Sequence, residues 1–169
     1  MTILETERLR LRESVPDDAP FMFALYNSPG FLEHIGDRGI HSLEDAVAHI
    51  EKNMIGSYRD NGFGLYVVED KTDGTPVGVC GLVSRPTLDA PDIGFAFLPE
   101  HMRKGYGYES AAAVLAWAQE DRGLSRILAI VSPANAASVS LLEKLGLRDE
   151  GMVRMTEDAD PIRLFATSA

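Results

Sequence analysis

The chain has 169 residues, enough for one domain with a substantial core, and its 45% hydrophobic and 25% charged content is that of a globular protein. A net charge of −10 argues against broad affinity for nucleic acid or anionic membranes, and the single cysteine, Cys80, excludes an intrachain disulfide and a cysteine-rich zinc site. Met1-Thr2-Ile3-Leu4-Glu5 does not read as a signal peptide and no apolar run reaches bilayer length, so the expected location is the cytoplasm.

Arg8 to Arg12 alternates apolar and charged residues and predicts a half-buried strand. Ser14-Val15-Pro16-Asp17 opens a helix with Phe21 and Leu25 on one face, and Pro29-Gly30 is expected to break it. Ser42 to Asp45 resembles a capping box, followed by a helix with Leu43, Ala46, Val47, Ile50 and Met54 on its inner side. Strands are predicted over Leu65 to Val68, Pro76 to Val83 and Ile93 to Leu98, with turns at Asn61-Gly62 and Asp73-Gly74. An alanine-rich helix then runs to about Arg122. Arg126 to Val131 is a short buried strand, and Asn135 to Leu145 is a helix stopped by Gly146. Leu147 to Met155 and Pro161 to Phe165 form a final antiparallel pair. No repeat or linker is visible. The order predicts one mixed α/β domain over residues 1–169, with a mostly antiparallel sheet and flanking helices.

The most informative stretch joins Ile93–Leu98 to the alanine-rich helix: His101-Met102-Arg103-Lys104-Gly105-Tyr106-Gly107-Tyr108-Glu109. Gly105 and Gly107 remove Cβ atoms where the backbone turns into the helix. The free N–H groups of a first helical turn attract anions, and Arg103 and Lys104 add full positive charge. Such a turn suits phosphate oxygens. A dinucleotide-binding reading of Gly105-x-Gly107-x-x-Ser110 needs an acid on the next strand, and Arg126 to Val131 has none. A second segment, Asn135-Ala136-Ala137-Ser138 followed by Leu141 to Leu147, reads as a capped, packed and glycine-terminated helix.

Together, in this order, the two segments resemble the GNAT superfamily of acyl-CoA-dependent N-acetyltransferases, and most of all its RimJ/RimL branch, which acetylates ribosomal-protein N-termini. The resemblance also takes in Thr6 to Arg12, Pro76 to Leu82, and Asp92-Ile93-Gly94-Phe95. It implies a GNAT-like fold with a V-shaped opening between the parallel strands Ile93–Leu98 and Arg126–Val131. It implies that the pantetheine arm of acetyl-CoA pairs there with main-chain groups near Phe97 and Leu98. The pyrophosphate would sit on Met102, Arg103, Lys104, Gly105, Tyr106 and Gly107, and Asn135 and Ser138 would also contact the cofactor. Met102 stands where the wider superfamily often has Gln or Arg. Leu142 stands where many members have a tyrosine that protonates the departing thiolate; the RimJ/RimL branch often lacks that tyrosine, and Ser138 is the candidate substitute. Asp92 stands where the branch commonly has Glu.

Acetyl transfer needs a neutral amine, a polarised carbonyl and help for the leaving thiolate. Asp92, placed near the open end of its strand, is the candidate base, provided burial raises its pKa from the usual value of about 3.9. Glu33 and His34 are alternatives on the acceptor side. A backbone N–H near Phe97 is the candidate oxyanion donor. Ser138 is suited to a hydrogen bond to sulfur. Cys80 and Trp117 read as core residues, so direct attack in a ternary complex is expected, with no acetyl-enzyme and no metal. The alternative is a non-catalytic acyl-CoA sensor on the same fold. The acceptor, a peptide N-terminus or a small amine, is left open, although the acidic balance suits a cationic one. A monomer and a homodimer are both compatible with the sequence.

Overall fold

The structure, a computed structural model, describes residues 1–167. Eight strands form one sheet in the order β1-β2-β3-β4-β5-β6-β8-β7. They are β1 (Thr2–Glu5), β2 (Leu9–Arg12), β3 (Leu65–Asp70), β4 (Pro76–Val83), β5 (Asp92–Phe97), β6 (Leu128–Val131), β7 (Arg148–Val153) and β8 (Ile162–Ala166). Every neighbouring pair is antiparallel except β5 with β6. The helices are α1 (Ala19–Tyr26), α2 (Pro29–His34), α3 (Leu43–His49), α4 (Gly56–Asn61), α5 (Tyr106–Glu120) and α6 (Ala136–Lys144).

Period-2 alternation divides the core in two. Val68, Cys80 and Leu82 join a cluster with Ala111, Val114 and Ala118 of α5 and Leu142 of α6. Val67 and Val79 join a second cluster with Met22 and Leu25 of α1 and Ala46 of α3. The Arg12 guanidinium anchors the entry to α1, gripping both Asp18 carboxylate oxygens at 2.9 and 2.8 Å while its Nε donates to Glu69 at 2.7 Å. Burial pushes the Asp18 carboxyl upward, but Arg12 and the Val15 N–H hold it below its ordinary value.

The first helix is interrupted before Pro29 as expected: α1 ends at Tyr26, and Pro29 then occupies the first turn of a separate helix, α2, where a missing N–H costs nothing. Two local expectations are corrected. Leu43 is exposed rather than inward, although Ser42 caps α3 as expected, accepting the Asp45 N–H at 3.0 Å. The α3 helix also passes directly into a π-helical stretch, Ile50–Ile55, before α4. The wider turn changes the phase at which side chains leave the axis, a feature common near functional sites. Strand β1, pairing with β2 at the sheet edge, is additional to the predicted elements. Among the described residues no helix is long and apolar enough to cross a membrane.

Candidate active site

Strands β5 and β6 have one paired position, Asp92 opposite Leu128, where the Leu128 N–H donates to Pro91 O at 2.9 Å. Beyond it toward their C-terminal ends they do not pair, which leaves a V-shaped opening within the sheet. The register with β4 decides which amides face it. The Leu98 N–H donates to Val77 O at 3.0 Å, and alternate residues of an antiparallel strand bond to the same neighbour. The Phe97 and Phe95 N–H groups therefore turn toward β6. At Leu98 the N–H goes to Val77, and the C=O accepts from the His101 N–H at 2.9 Å, so only the second lone pair of that carbonyl is left for a ligand.

The turn after β5 ends at the N-terminus of α5, a 15-residue helix without a side-chain cap. Gly105, at φ 82°, is the N-cap, and Arg103 also lies at positive φ, 61°. Tyr106, Gly107 and Tyr108 begin the helix, so their N–H groups have no intrahelical acceptor. Arg8 of the β1–β2 turn buttresses this corner. It donates to Lys104 O at 2.8 Å and to Glu109 at 2.7 Å, and its guanidinium lies 4.7 Å from the centre of the Tyr106 ring. Glu109 also accepts from the Arg8 N–H and the Thr6 hydroxyl. Arg8 is thus a third cation at the turn, which sequence reading missed because its partners lie about a hundred residues away.

The Tyr106 side chain faces inward, with its hydroxyl donating to Asp70 at 3.2 Å, so what it offers the turn is its main-chain N–H. A Cβ on Gly107 would lie 3.2 Å from Leu141 Cδ2 and 3.8 Å from Phe97, so the small residue serves helix packing. A Cβ on Gly105 would meet the Arg8 guanidinium at 3.1 Å. Met102 is exposed and reaches back toward Gly30 of α2.

Asn135 caps α6 by accepting the Ser138 N–H at 3.2 Å, which leaves its amide group free to donate elsewhere. Asn135, Ser138 and Leu142 line a cleft of about 870 Å³ that also includes Gly94 to Ala96 of β5 and Ala129 to Val131 of β6. The cleft continues to a helical wall carrying His34, Arg38, His49, Lys52 and Asn53. His34 faces it as expected. Glu33 does not line it; its side chain is 73% exposed, 3.8 Å from His34 Nε2.

Asp92 also lines the cleft, but at the apex of the V rather than its open end. It is 1% exposed and its Oδ1 accepts from Arg85 Nε at 2.9 Å. Burial raises the carboxyl above its ordinary range, and Arg85 partly opposes the rise. Arg85 was missed, yet a signal existed: Val83 pairs with Asp92 across the β4–β5 connection, so a residue just past Val83 lies close to it. Cys80 is fully buried, and burial pushes its thiol up to about 12. Trp117 packs edge-on against Tyr66 with centroids 5.9 Å apart.

A family model for the acetyltransferase (GNAT) domain matches residues 8–148. The chain is 31% identical over 153 residues to YoaA of Bacillus subtilis, described as an uncharacterised N-acetyltransferase, covering 90% of this chain and 86% of that one. A crystal structure of an acetyltransferase from Agrobacterium tumefaciens superposes with a TM-score of 0.84 at 23% identity, covering 100% of this chain and 95% of that one. RimL, a ribosomal L7/L12 α-N-protein acetyltransferase solved with coenzyme A, superposes with a TM-score of 0.84 at 18% identity, covering 98% and 97%.

Proposed function

The chain belongs to the GNAT acetyltransferase family and is an acyltransferase; from that premise we propose that it transfers the acetyl group of acetyl-CoA to a primary amine by direct attack in a ternary complex. The observation that carries the reading is the uncapped, cation-flanked N-terminus of α5 directly following the strand that borders the opening. The free N–H groups of the first turn, with Arg103, Lys104 and Arg8, suit a pyrophosphate, and the gap suits an extended arm. The Asn135 amide, free of any hydrogen bond among the described residues, suits a donated bond to that arm.

Each step of the chemistry has a candidate group. The acceptor enters as an ammonium and must lose a proton before its nitrogen attacks the thioester carbon. Asp92 suits that task because burial holds its pKa up; Arg85 takes Oδ1, and Oδ2 is the oxygen left to receive the proton. As the carbon becomes tetrahedral, the Phe97 N–H suits the developing oxyanion. The C–S bond then breaks, and the Ser138 hydroxyl, which makes no hydrogen bond to the protein among the described residues, suits the sulfur. His34 is a second proton acceptor on the acceptor side.

The test is release of CoA thiol from acetyl-CoA in the presence of a panel of amines, with mass spectrometry of the protein during turnover. Amine-dependent thiol release with no kinetically competent acetyl-enzyme supports direct attack. Tight CoA binding with no turnover on any amine replaces the enzyme with an acyl-CoA sensor.

A further inference from the structure

The charges of the cleft run against those of the chain. The protein as a whole carries −10, yet among the described residues the only carboxylates lining the cleft are Asp60 and Asp92. Both are ion-paired: Asp60 with Arg59 at 2.9 Å and Asp92 with Arg85 at 2.9 Å. Two cations on the same wall, Arg38 and Lys52, have no ion pair or hydrogen bond among the described residues. They are not required for the phosphates of CoA in the arrangement above, because no residue of the Met102–Gly107 turn lines this cleft.

Of the two histidines on that wall, His34 and His49, the second adds no charge. His49 Nε2 lies 3.0 Å from the Tyr26 hydroxyl, and its Nδ1 lies 3.0 Å from the Asn53 amide nitrogen. An amide nitrogen only donates, so Nδ1 accepts, and the ring is a neutral imidazole donating through Nε2 to Tyr26. Burial and the nearby Arg38 both work against protonation of this ring. An ammonium group entering here finds no free carboxylate, whereas an anion finds two unpartnered cations.

We infer that the acceptor is a small amine carrying its own anionic group, a carboxylate or a phosphate, held by Arg38 and Lys52 while the amine reaches toward Asp92 and Ser138. This rests on the acetyltransferase reading above, and it reverses the cationic acceptor that overall composition favours. A polyamine would set like charge against like charge at the mouth of the cleft, with no bound counter-charge to offset it. The same two cations disfavour the protonated form of the attacking nitrogen, which is the form that must be lost before attack.

The experiment compares matched acceptors by thiol release: α-amino acids against their α-amino amides, aminoalkyl phosphates against the parent amino alcohols, and spermidine as a polycation. The charged member of at least one pair should be preferred by roughly tenfold or more in kcat/KM, about the effect of one or two close charge contacts. Which pair shows it identifies carboxylate or phosphate as the anion. In the doubly substituted Arg38→Glu/Lys52→Glu protein the preference should collapse to within about twofold or reverse, while CoA affinity by calorimetry is unchanged. Spermidine, an amide or an amino alcohol used as well as or better than its anionic counterpart overturns the inference and leaves acetyl transfer standing. If no amine is acetylated, the acetyltransfer reading fails by itself, and calorimetry on the CoA-loaded protein decides the charge preference. Tighter binding of N-acetylglycine than of N-acetylglycinamide supports it, and equal binding ends it.

Discussion

Removing Arg85 leaves the Asp92 carboxylate buried without its cation. Breaking a fully buried ion pair costs about 3–5 kcal/mol; here the Asp92 side chain is 1% exposed but that of Arg85 is 27% exposed, so water reaches one side of the pair. For Arg85→Met we expect a loss of about 2–3 kcal/mol at neutral pH, or roughly 5–10 °C in Tm for a domain of this size. Asp92→Asn keeps an oxygen for the Arg85 Nε and should cost about 1 kcal/mol. The double variant should cost less than the sum, by about 1–2 kcal/mol, because neither partner is then stranded. The pH dependence has a definite sign. Burial holds the folded-state pKa of Asp92 above its unfolded value. Its contribution to stability is therefore fully present below the unfolded pKa and is lost as pH rises through the folded one. Without Arg85 that folded value climbs further, so the deficit of Arg85→Met should shrink as pH is lowered from 8 toward 5. Urea unfolding of all four proteins across that range measures it. A deficit independent of pH, or a strictly additive double variant, refutes the account of a buried carboxylate neutralised by Arg85.

The other expectations concern separate parts of the site. Asn135→Asp keeps the oxygen that accepts from Ser138 but loses the amide donor, so the KM for acetyl-CoA should rise about tenfold with little change in Tm; a fall in Tm without a change in KM reduces the residue to a helix cap. Arg8→Ala removes the contacts to Lys104 O and Glu109, and calorimetry should show CoA binding weakened by roughly tenfold while the acceptor KM holds. Cys80→Ala should retain activity within about twofold, since a fully buried thiol pushed up to about 12 is no nucleophile; loss of turnover in a folded Cys80→Ala protein argues for a covalent route.

Much of the frame was legible because its signals are local. Pro76 to Val83 matches β4 end to end, and the Asn135 cap and the Ser42 cap follow from side chains three residues from the N–H groups they satisfy. Proline carries two meanings, and both hold at Pro29: α1 ends before it and α2 begins on it. Leu43 keeps the helical period yet stands exposed, because period alone does not say how far a buried face extends toward a helix end. The site itself depends on register and on distant pairs, which no window along the chain contains. Leu98 and Phe97 look equivalent in sequence, and only the bond from Leu98 to Val77 assigns one to β4 and the other to the opening. Arg8 with Glu109 is invisible for the same reason. Overall charge does not report on the cleft, whose lining carboxylates among the described residues are both ion-paired.

An unpaired strand edge is ordinarily a hazard, because its row of free amides and carbonyls accepts a foreign strand as readily as a native one. Here two such edges sit in the interior of the sheet, one on β5 and one on β6, joined by a single rung at Asp92 and Leu128. The groups suited to an extended arm of a ligand are therefore the same groups suited to misassembly. An arm filling the gap as proposed should therefore also suppress self-association. Aggregation on mild heating should be slowed by CoA and much less by adenosine 3′,5′-bisphosphate, which carries the phosphates but lacks the arm that would fill the gap. A cell short of CoA would then lose this protein to self-association as well as to want of substrate.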